Sequence, residues 1–206
     1  MSQAAIWNRF AKGYAKRAIS DPESYNRKLE QTAQRLTPAS RLLEIACGTG
    51  TTALWHAPKV AHVRASDFSD EMIAIARRKA GDAGVSNVEF VVEAIDEMPP
   101  PETPYDVALA MSILHLLPDP TATLRRLSDC LRPGGFVFSS TVCLRDMGGI
   151  VPRMIPWLGW TRLLPRLNPM TAAQVIAAHE AAGLRIIDHW RAGPGSALFI
   201  EAQKPE

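Results

Sequence analysis

Glu44, Gly48, Gly50 and Asp67 carry the clearest chemistry in this 206-residue sequence. The run LLEIACGTG over 42–50 is a short apolar strand that turns through two glycines into TTALWHA, a segment with helical composition. Glycine at 48 and 50 permits backbone conformations that a Cβ would forbid, and it lets a ligand approach the amides at a helix start. Asp67 stands 17 residues beyond Gly50, at the end of a second apolar run, where a carboxylate can accept hydrogen bonds from both hydroxyls of a ribose. Together these residues read as a site for a ribose-containing cofactor. Gly48-Thr49-Gly50-Thr51-Thr52-Ala53 also satisfies the GxGxxA form of the dinucleotide fingerprint, so two enzyme classes stay open at this point.

Such residues need a scaffold that brings strand ends together. Apolar runs of strand composition recur at 41–46, 61–66, 87–92, 105–111 and 135–141. Between them, 70–83 sets Met72, Ile73, Ala76 and Ala80 on one helical face, with Ser69 as its N-cap. The segment 120–131 sets Leu124, Leu127 and Leu131 on one stripe and meets a stop at Pro133-Gly134-Gly135. Strand and helix in alternation predict a parallel sheet with right-handed crossovers. After a helix over 171–182, the runs LRIIDHWR and SALFIEAQ are joined by only four residues, which predicts an antiparallel hairpin. The expected fold is therefore α/β: a doubly wound, mainly parallel seven-stranded sheet with an antiparallel C-terminal hairpin and helices on both faces. One domain over 1–206 is expected, with an N-terminal helical lid (1–38, helical over 3–18 and 22–36), a cofactor-binding core (39–142), a substrate-side insertion (143–170) and a C-terminal helix and hairpin (171–206).

Composition narrows the function. With 23 basic and 21 acidic residues, the net charge of +2 offers no polycationic surface for a phosphate backbone, and no nucleic-acid partner is expected. Cys47, Cys130 and Cys143 are too few and too scattered for a disulfide framework; no CxxC pair suggests zinc, and no metal is expected. The first residues, MSQAAIWNRFAKGYAKR, lack the continuous apolar core of a signal peptide, and no apolar run reaches the roughly 18 residues of a membrane span. These features predict a cytoplasmic protein.

Glu44, four residues before Gly48, and the C-terminal hairpin separate the two cofactor classes. EIACGTG resembles the first motif of class I, Rossmann-like, S-adenosylmethionine-dependent methyltransferases. DFSDEMIAIARRKA is similar to the family's second motif, YDVALAMSILHLLPD to its fourth-strand motif, and LRPGG to the turn before strand five. The resemblance covers nearly the whole chain. It implies S-adenosyl-L-methionine as cofactor, with Ala46, Gly48 and Gly50 along its methionine portion and Glu44 organising the loop or engaging the amino group. It further implies Asp67 on the ribose, Phe68 and Met72 flanking the adenine, and Ser112 near the sulfonium. Family members carry an acidic residue after strand three; here that position is Ala94, leaving Glu93 or Asp96, or backbone contacts from Ala94 and Ile95, to meet the adenine.

Methyl transfer from a sulfonium is an in-line displacement, so positioning can supply most of the catalysis. Where the acceptor must lose a proton, a histidine suits the task. His115, in the loop after strand four, has the best placement of the five histidines; packing of that loop explains it equally well. His56, His62, His179 and His189 receive no role. Trp7, Phe10, Tyr14 and Tyr25 suit a lid that excludes water, with Tyr14 nearest the cofactor. The segment 150–166 mixes Met154, Ile155, Trp157, Leu158 and Trp160 with Arg153, Arg162 and Arg166, which suits an apolar acceptor pocket or contact with a membrane surface. A small, partly hydrophobic acceptor is expected; a quinone-like ring and a lipid headgroup both fit. An NAD(P)-dependent oxidoreductase and a non-catalytic S-adenosylmethionine-binding module are the competing readings.

Overall fold

The structure is a computed structural model and describes residues 3–147, 166–193 and 195–206. Seven strands form one sheet: β1 (Arg41–Ile45), β2 (His62–Asp67), β3 (Val88–Val92), β4 (Tyr105–Met111), β5 (Leu131–Thr141), β6 (Arg185–Trp190) and β7 (Leu198–Gln203). Their order is β3-β2-β1-β4-β5-β7-β6. The first five are parallel, and β7 is inserted antiparallel between β5 and β6. This is the doubly wound, mainly parallel sheet with the antiparallel C-terminal hairpin that the sequence predicts.

Residues of the central strands alternate between two apolar layers because successive side chains point to opposite faces. Leu43, Ala108 and Ala110 pack with α5 (Pro120–Cys130) and α6 (Ala172–Ala181) through Leu124, Leu127, Val175 and Ala178. Leu42, Val107 and Leu109 pack on the other face with α3 (Thr51–His56) and α4 (Asp70–Asp82) through Ala53, Ile73 and Ala76. Caps fix where these helices start. Ser69 accepts from the Met72 N–H, Asp119 from the Ala122 N–H, and Thr171 with Gln174 makes a reciprocal capping box.

Two boundaries differ from the sequence expectation. The fifth helix ends at Cys130, and β5 starts at Leu131 rather than at 135. Leu131 is buried and pairs with Tyr105, and the ladder shifts register between Tyr105 and Val107, so Pro133-Gly134-Gly135 forms an irregularity within the strand rather than the turn before it. The helix after the glycine turn has only six residues and passes into a 3₁₀ turn at Ala57–Lys59, where Pro58 cannot donate to a continuing helix. Ahead of the sheet lie α1 (Gln3–Lys16) and α2 (Pro22–Ala33). The acceptor-side reading of 150–166 falls outside the described residues, apart from Arg166. Among the described residues, no helix is long and apolar enough to cross a membrane.

Candidate active site

A cleft of about 290 Å³ opens at the carboxyl ends of β1 to β4, beneath α1. Its shape starts with the backbone of the glycine turn. Gly48 and Gly50 adopt φ of +54° and +76°, the left-handed region where a Cβ is penalised. Gly50 also has no room for a side chain: an added Cβ would stand 2.8 Å from Ala76 Cβ and from two Phe90 ring carbons. At Gly48 the nearest atom to such a Cβ would be Tyr14 Cε1 at 3.7 Å, so that glycine keeps the passage below Tyr14 open. Ala46 and Ser112, which close β1 and β4, also have positive φ, +50° and +60°. Two strained non-glycine residues at the mouth of one cleft are a recognised mark of a functional site.

Asp67 ties this turn to the end of β2. Its Oδ2 accepts from the Gly48 N–H at 3.0 Å and its Oδ1 from the Ser69 N–H at 2.9 Å. Burial raises its pKa, and the two N–H donors oppose that shift. Each oxygen keeps lone-pair capacity for a further donor. Tyr14 ionises above its ordinary range, first because of burial and then because of the charges of Asp67 and Glu44. The α1 helix is fastened by Trp7, Ala11 and Ala15 packing on Met72 and Ile75. Asn8 accepts from the Ser69 hydroxyl at 2.6 Å, and Gln3 Oε1 accepts from the Arg166 N–H at 3.1 Å.

Of the residues picked out from sequence, Tyr14, Ala46, Gly48, Asp67, Phe68, Met72, Ala94, Ile95 and Ser112 line the cleft. Glu44, Gly50 and His115 do not. Gly50 acts behind the turn, against Phe90 and Ala76. His115 lies in a 3₁₀ turn, Leu114–Leu116, whose neighbours Leu116 and Leu117 reach the cleft instead. Its Nδ1 is buried with no partner among the described residues, and burial lowers its pKa. His56 and His179 are buried and pushed down to about 4, and they bond backbone carbonyls within their own helices.

Glu44 is 2 % exposed and lies beneath the turn, with Oε2 lacking a partner among the described residues. Burial, reinforced by the charge of Asp67 and opposed by the Ala53 N–H, pushes its pKa from the ordinary 4.5 up to about 8. The folded state therefore holds a proton that the unfolded chain releases near 4.5. The stability linked to Glu44 is complete below that pH and is lost as pH climbs towards 8. Thermal melts of Glu44→Gln, which is neutral at every pH, should show a shallower fall in Tm across this window than the parent protein. Parallel curves would contradict the buried protonated carboxyl.

Other contacts were not foreseen from sequence. Lys79 reaches from α4 to donate to the Thr49 and Thr51 hydroxyls at 3.0 and 3.1 Å, clamping the turn. Arg64 holds Glu93 and Glu89 at 3.0 and 2.9 Å. Glu93, which lines the cleft, is thus already neutralised, while Asp96 lines it with no ion pair among the described residues. A helix register, i to i+30 in the first case, gives no sign of such partners; Trp7 and Gln3 on α1, also in the lining, could be anticipated only as lid residues.

The donor set fits a cationic, ribose-bearing ligand. Asp67 and Asp96 line the cleft, Arg166 is the basic residue among the described residues of the lining, and the protonated Glu44 behind it adds no charge near neutral pH. A pyrophosphate, with two negative charges, would meet the Asp67 and Asp96 carboxylates unfavourably.

A family model described as a methyltransferase domain matches residues 42–135. The ubiquinone biosynthesis O-methyltransferase of Xylella fastidiosa is 30% identical over 147 residues, covering 71% of this chain and 59% of that protein. Alignments to such curated relatives span between 48% and 64% of their length. Among solved structures, geranyl diphosphate C-methyltransferase from Streptomyces coelicolor superposes with a TM-score of 0.73 at 13% identity, over 87% of this chain and 79% of that one. The [4+2]-cyclase SpnF superposes with a TM-score of 0.74 at 22% identity, over 87% of this chain and 80% of its own. A cyclase and a methyltransferase thus share this architecture, and the reaction must be argued from the site.

Proposed function

We propose that this chain, which belongs to the class I S-adenosylmethionine-dependent methyltransferase family, transfers a methyl group from S-adenosylmethionine to an oxygen of a small, partly hydrophobic molecule. The observation that carries this reading is the Asp67 carboxylate, buried at the end of β2 and bonded to the Gly48 N–H, in a cleft whose charge suits a sulfonium. S-adenosylmethionine, when bound, supplies a methyl carbon on a positively charged sulfur that an acceptor's lone pair displaces, leaving S-adenosylhomocysteine. Oxygen as the acceptor atom is supported by the O-methyltransferases that the chain resembles in sequence.

The chain's own residues then have distinct tasks. Asp67 accepts from the ribose hydroxyls, Phe68 and Met72 flank the adenine, and Ala94, Ile95 and Asp96 meet its edge. The backbone at Ala46, Gly48 and Ser112 contacts the methionine portion, and Tyr14 covers Gly48. Residues 1–38 serve as a lid that excludes water. Positioning supplies most of the acceleration, and His115 takes the packing role that its burial supports. Buried free thiols at Cys47, Cys130 and Cys143 support a reducing, cytoplasmic setting.

Calorimetry with S-adenosylhomocysteine and with NAD(H) and NADP(H) tests the donor. We expect micromolar binding of the first and none of the others; the reverse pattern would overturn the reading. Incubation with methyl-labelled S-adenosylmethionine and a metabolite extract, followed by mass spectrometry, then identifies the acceptor and the methylated atom.

A further inference from the structure

Among the described residues of its lining, the cleft has one basic side chain, and no carboxylate answers it. Arg166 is exposed there, with no acidic group in ion-pairing distance among the described residues. The two acidic residues of the lining that are not already ion-paired are engaged or placed elsewhere. Asp67 ends β2 and holds the Gly48 and Ser69 N–H groups, and Asp96 stands in the 3₁₀ turn Ile95–Glu97 after β3. Neither pairs with Arg166. A guanidinium presents its donors in a planar fork that matches the two oxygens of a carboxylate.

Backbone contacts fix where this charge stands. The Arg166 N–H donates to Gln3 Oε1 of α1 at 3.1 Å. Two residues on, Asn168 donates from its N–H to the His115 carbonyl at 2.7 Å and from Nδ2 to the Leu117 carbonyl at 3.0 Å. The segment is therefore strapped to the turn that follows β4. In the sheet, β4 lies on one side of β1, while β2 and β3, which lead to the ribose and adenine residues, lie on the other. Ser112, set against the methionine portion by the donor reading, opens the wall on the β4 side, and Ile113, Leu116, Leu117 and Pro118 continue it. A ligand on that side of the sulfonium meets hydrocarbon and a single cation.

We propose that Arg166 is a specificity-determining residue that receives a carboxylate of the acceptor. The chain then selects molecules that join an apolar body to an anionic group remote from the reacting oxygen. This rests on the methyl-donor reading above. The guanidinium takes no part in the displacement and moves no proton; it holds one end of the acceptor while the Leu116 and Leu117 wall covers the body. A neutral acceptor of the same shape would cover the guanidinium and leave its donors unpaired, and that cost sets the preference.

The test titrates 6-hydroxy-2-naphthoate and its neutral amide, 6-hydroxy-2-naphthamide, by calorimetry into the intact protein saturated with S-adenosylhomocysteine. The wild type is expected to bind the acid about tenfold more tightly than the amide, as one charge-assisted hydrogen bond implies. Arg166→Met should abolish that preference by weakening the acid alone, and Arg166→Lys should keep part of it, because an ammonium retains the charge without the fork. Both substitutions preserve the backbone N–H that holds Gln3, so both variants should melt with the parent protein. A wild type with no preference for the acid would overturn the proposal, as would an Arg166→Met protein that keeps the preference. Loss of S-adenosylhomocysteine affinity in Arg166→Met would overturn it too, by assigning the guanidinium to the cofactor's own carboxylate. A wild type that fails to bind S-adenosylhomocysteine would instead overturn the donor reading itself.

Discussion

Asp67→Ala is expected to weaken S-adenosylhomocysteine binding about hundredfold in calorimetry, the loss that follows from about 3 kcal/mol of charge-assisted hydrogen bonding. The carboxylate has two uses in this structure. Its oxygens hold the Gly48 and Ser69 N–H groups in their present directions, and each has a lone pair left for a ribose hydroxyl. Alanine removes both uses at once, and leaves two backbone donors in a buried place without partners. Asp67→Asn keeps one carbonyl oxygen and should lose only about tenfold. An Asp67→Ala protein that folds with parent affinity would remove Asp67 from the binding site and with it the main support for the donor assignment.

Gly50→Ala should cost about 3 kcal/mol of folding stability, seen as a lower urea midpoint with an unchanged slope. Two penalties combine: a left-handed residue with a Cβ costs about 1 kcal/mol, and overpacking a filled site costs about 2 kcal/mol more. The collision is with Ala76 and the ring of Phe90, both in a packed core. Gly48→Ala meets only ordinary contact at 3.7 Å and should cost about 1 kcal/mol. Its larger effect should fall on ligand affinity, because the new methyl group would enter the space below Tyr14. Equal destabilisation by the two substitutions would refute the steric account of the turn.

The parts of this molecule that sequence reveals are those decided by near neighbours. Ser69 ahead of an apolar helical face marks the start of α4, and a nearly unbroken apolar run marks β4 to the residue. Gly48 and Asp67 declare a ligand because each has few other reasons to stand where it does, whereas Gly50 is required by packing against Ala76 and Phe90. Ala46 and Ser112 are different: their left-handed backbones are imposed by the sheet and the cleft, against the local preference of both residue types. The bulge in β5 is likewise a tertiary result, since Pro133-Gly134-Gly135 in isolation is a helix stop, and only the pairing of Leu131 with Tyr105 turns it into strand. His115 shows the same limit for the site. Its place after β4 is visible in the sequence, but which of three consecutive residues faces the cleft depends on the 3₁₀ turn that holds them.

Ser69 makes three hydrogen bonds, each to a different part of the machinery: its N–H to Asp67, its hydroxyl to Asn8 of α1, and its oxygen to the Met72 N–H at the start of α4. Whatever settles on Asp67 is thus one residue away from the fastening of the N-terminal helix. Binding at Asp67 is expected to tighten the N-terminal helix through Ser69, and the indole fluorescence of Trp7, packed on Met72 and in the lining, should shift with it.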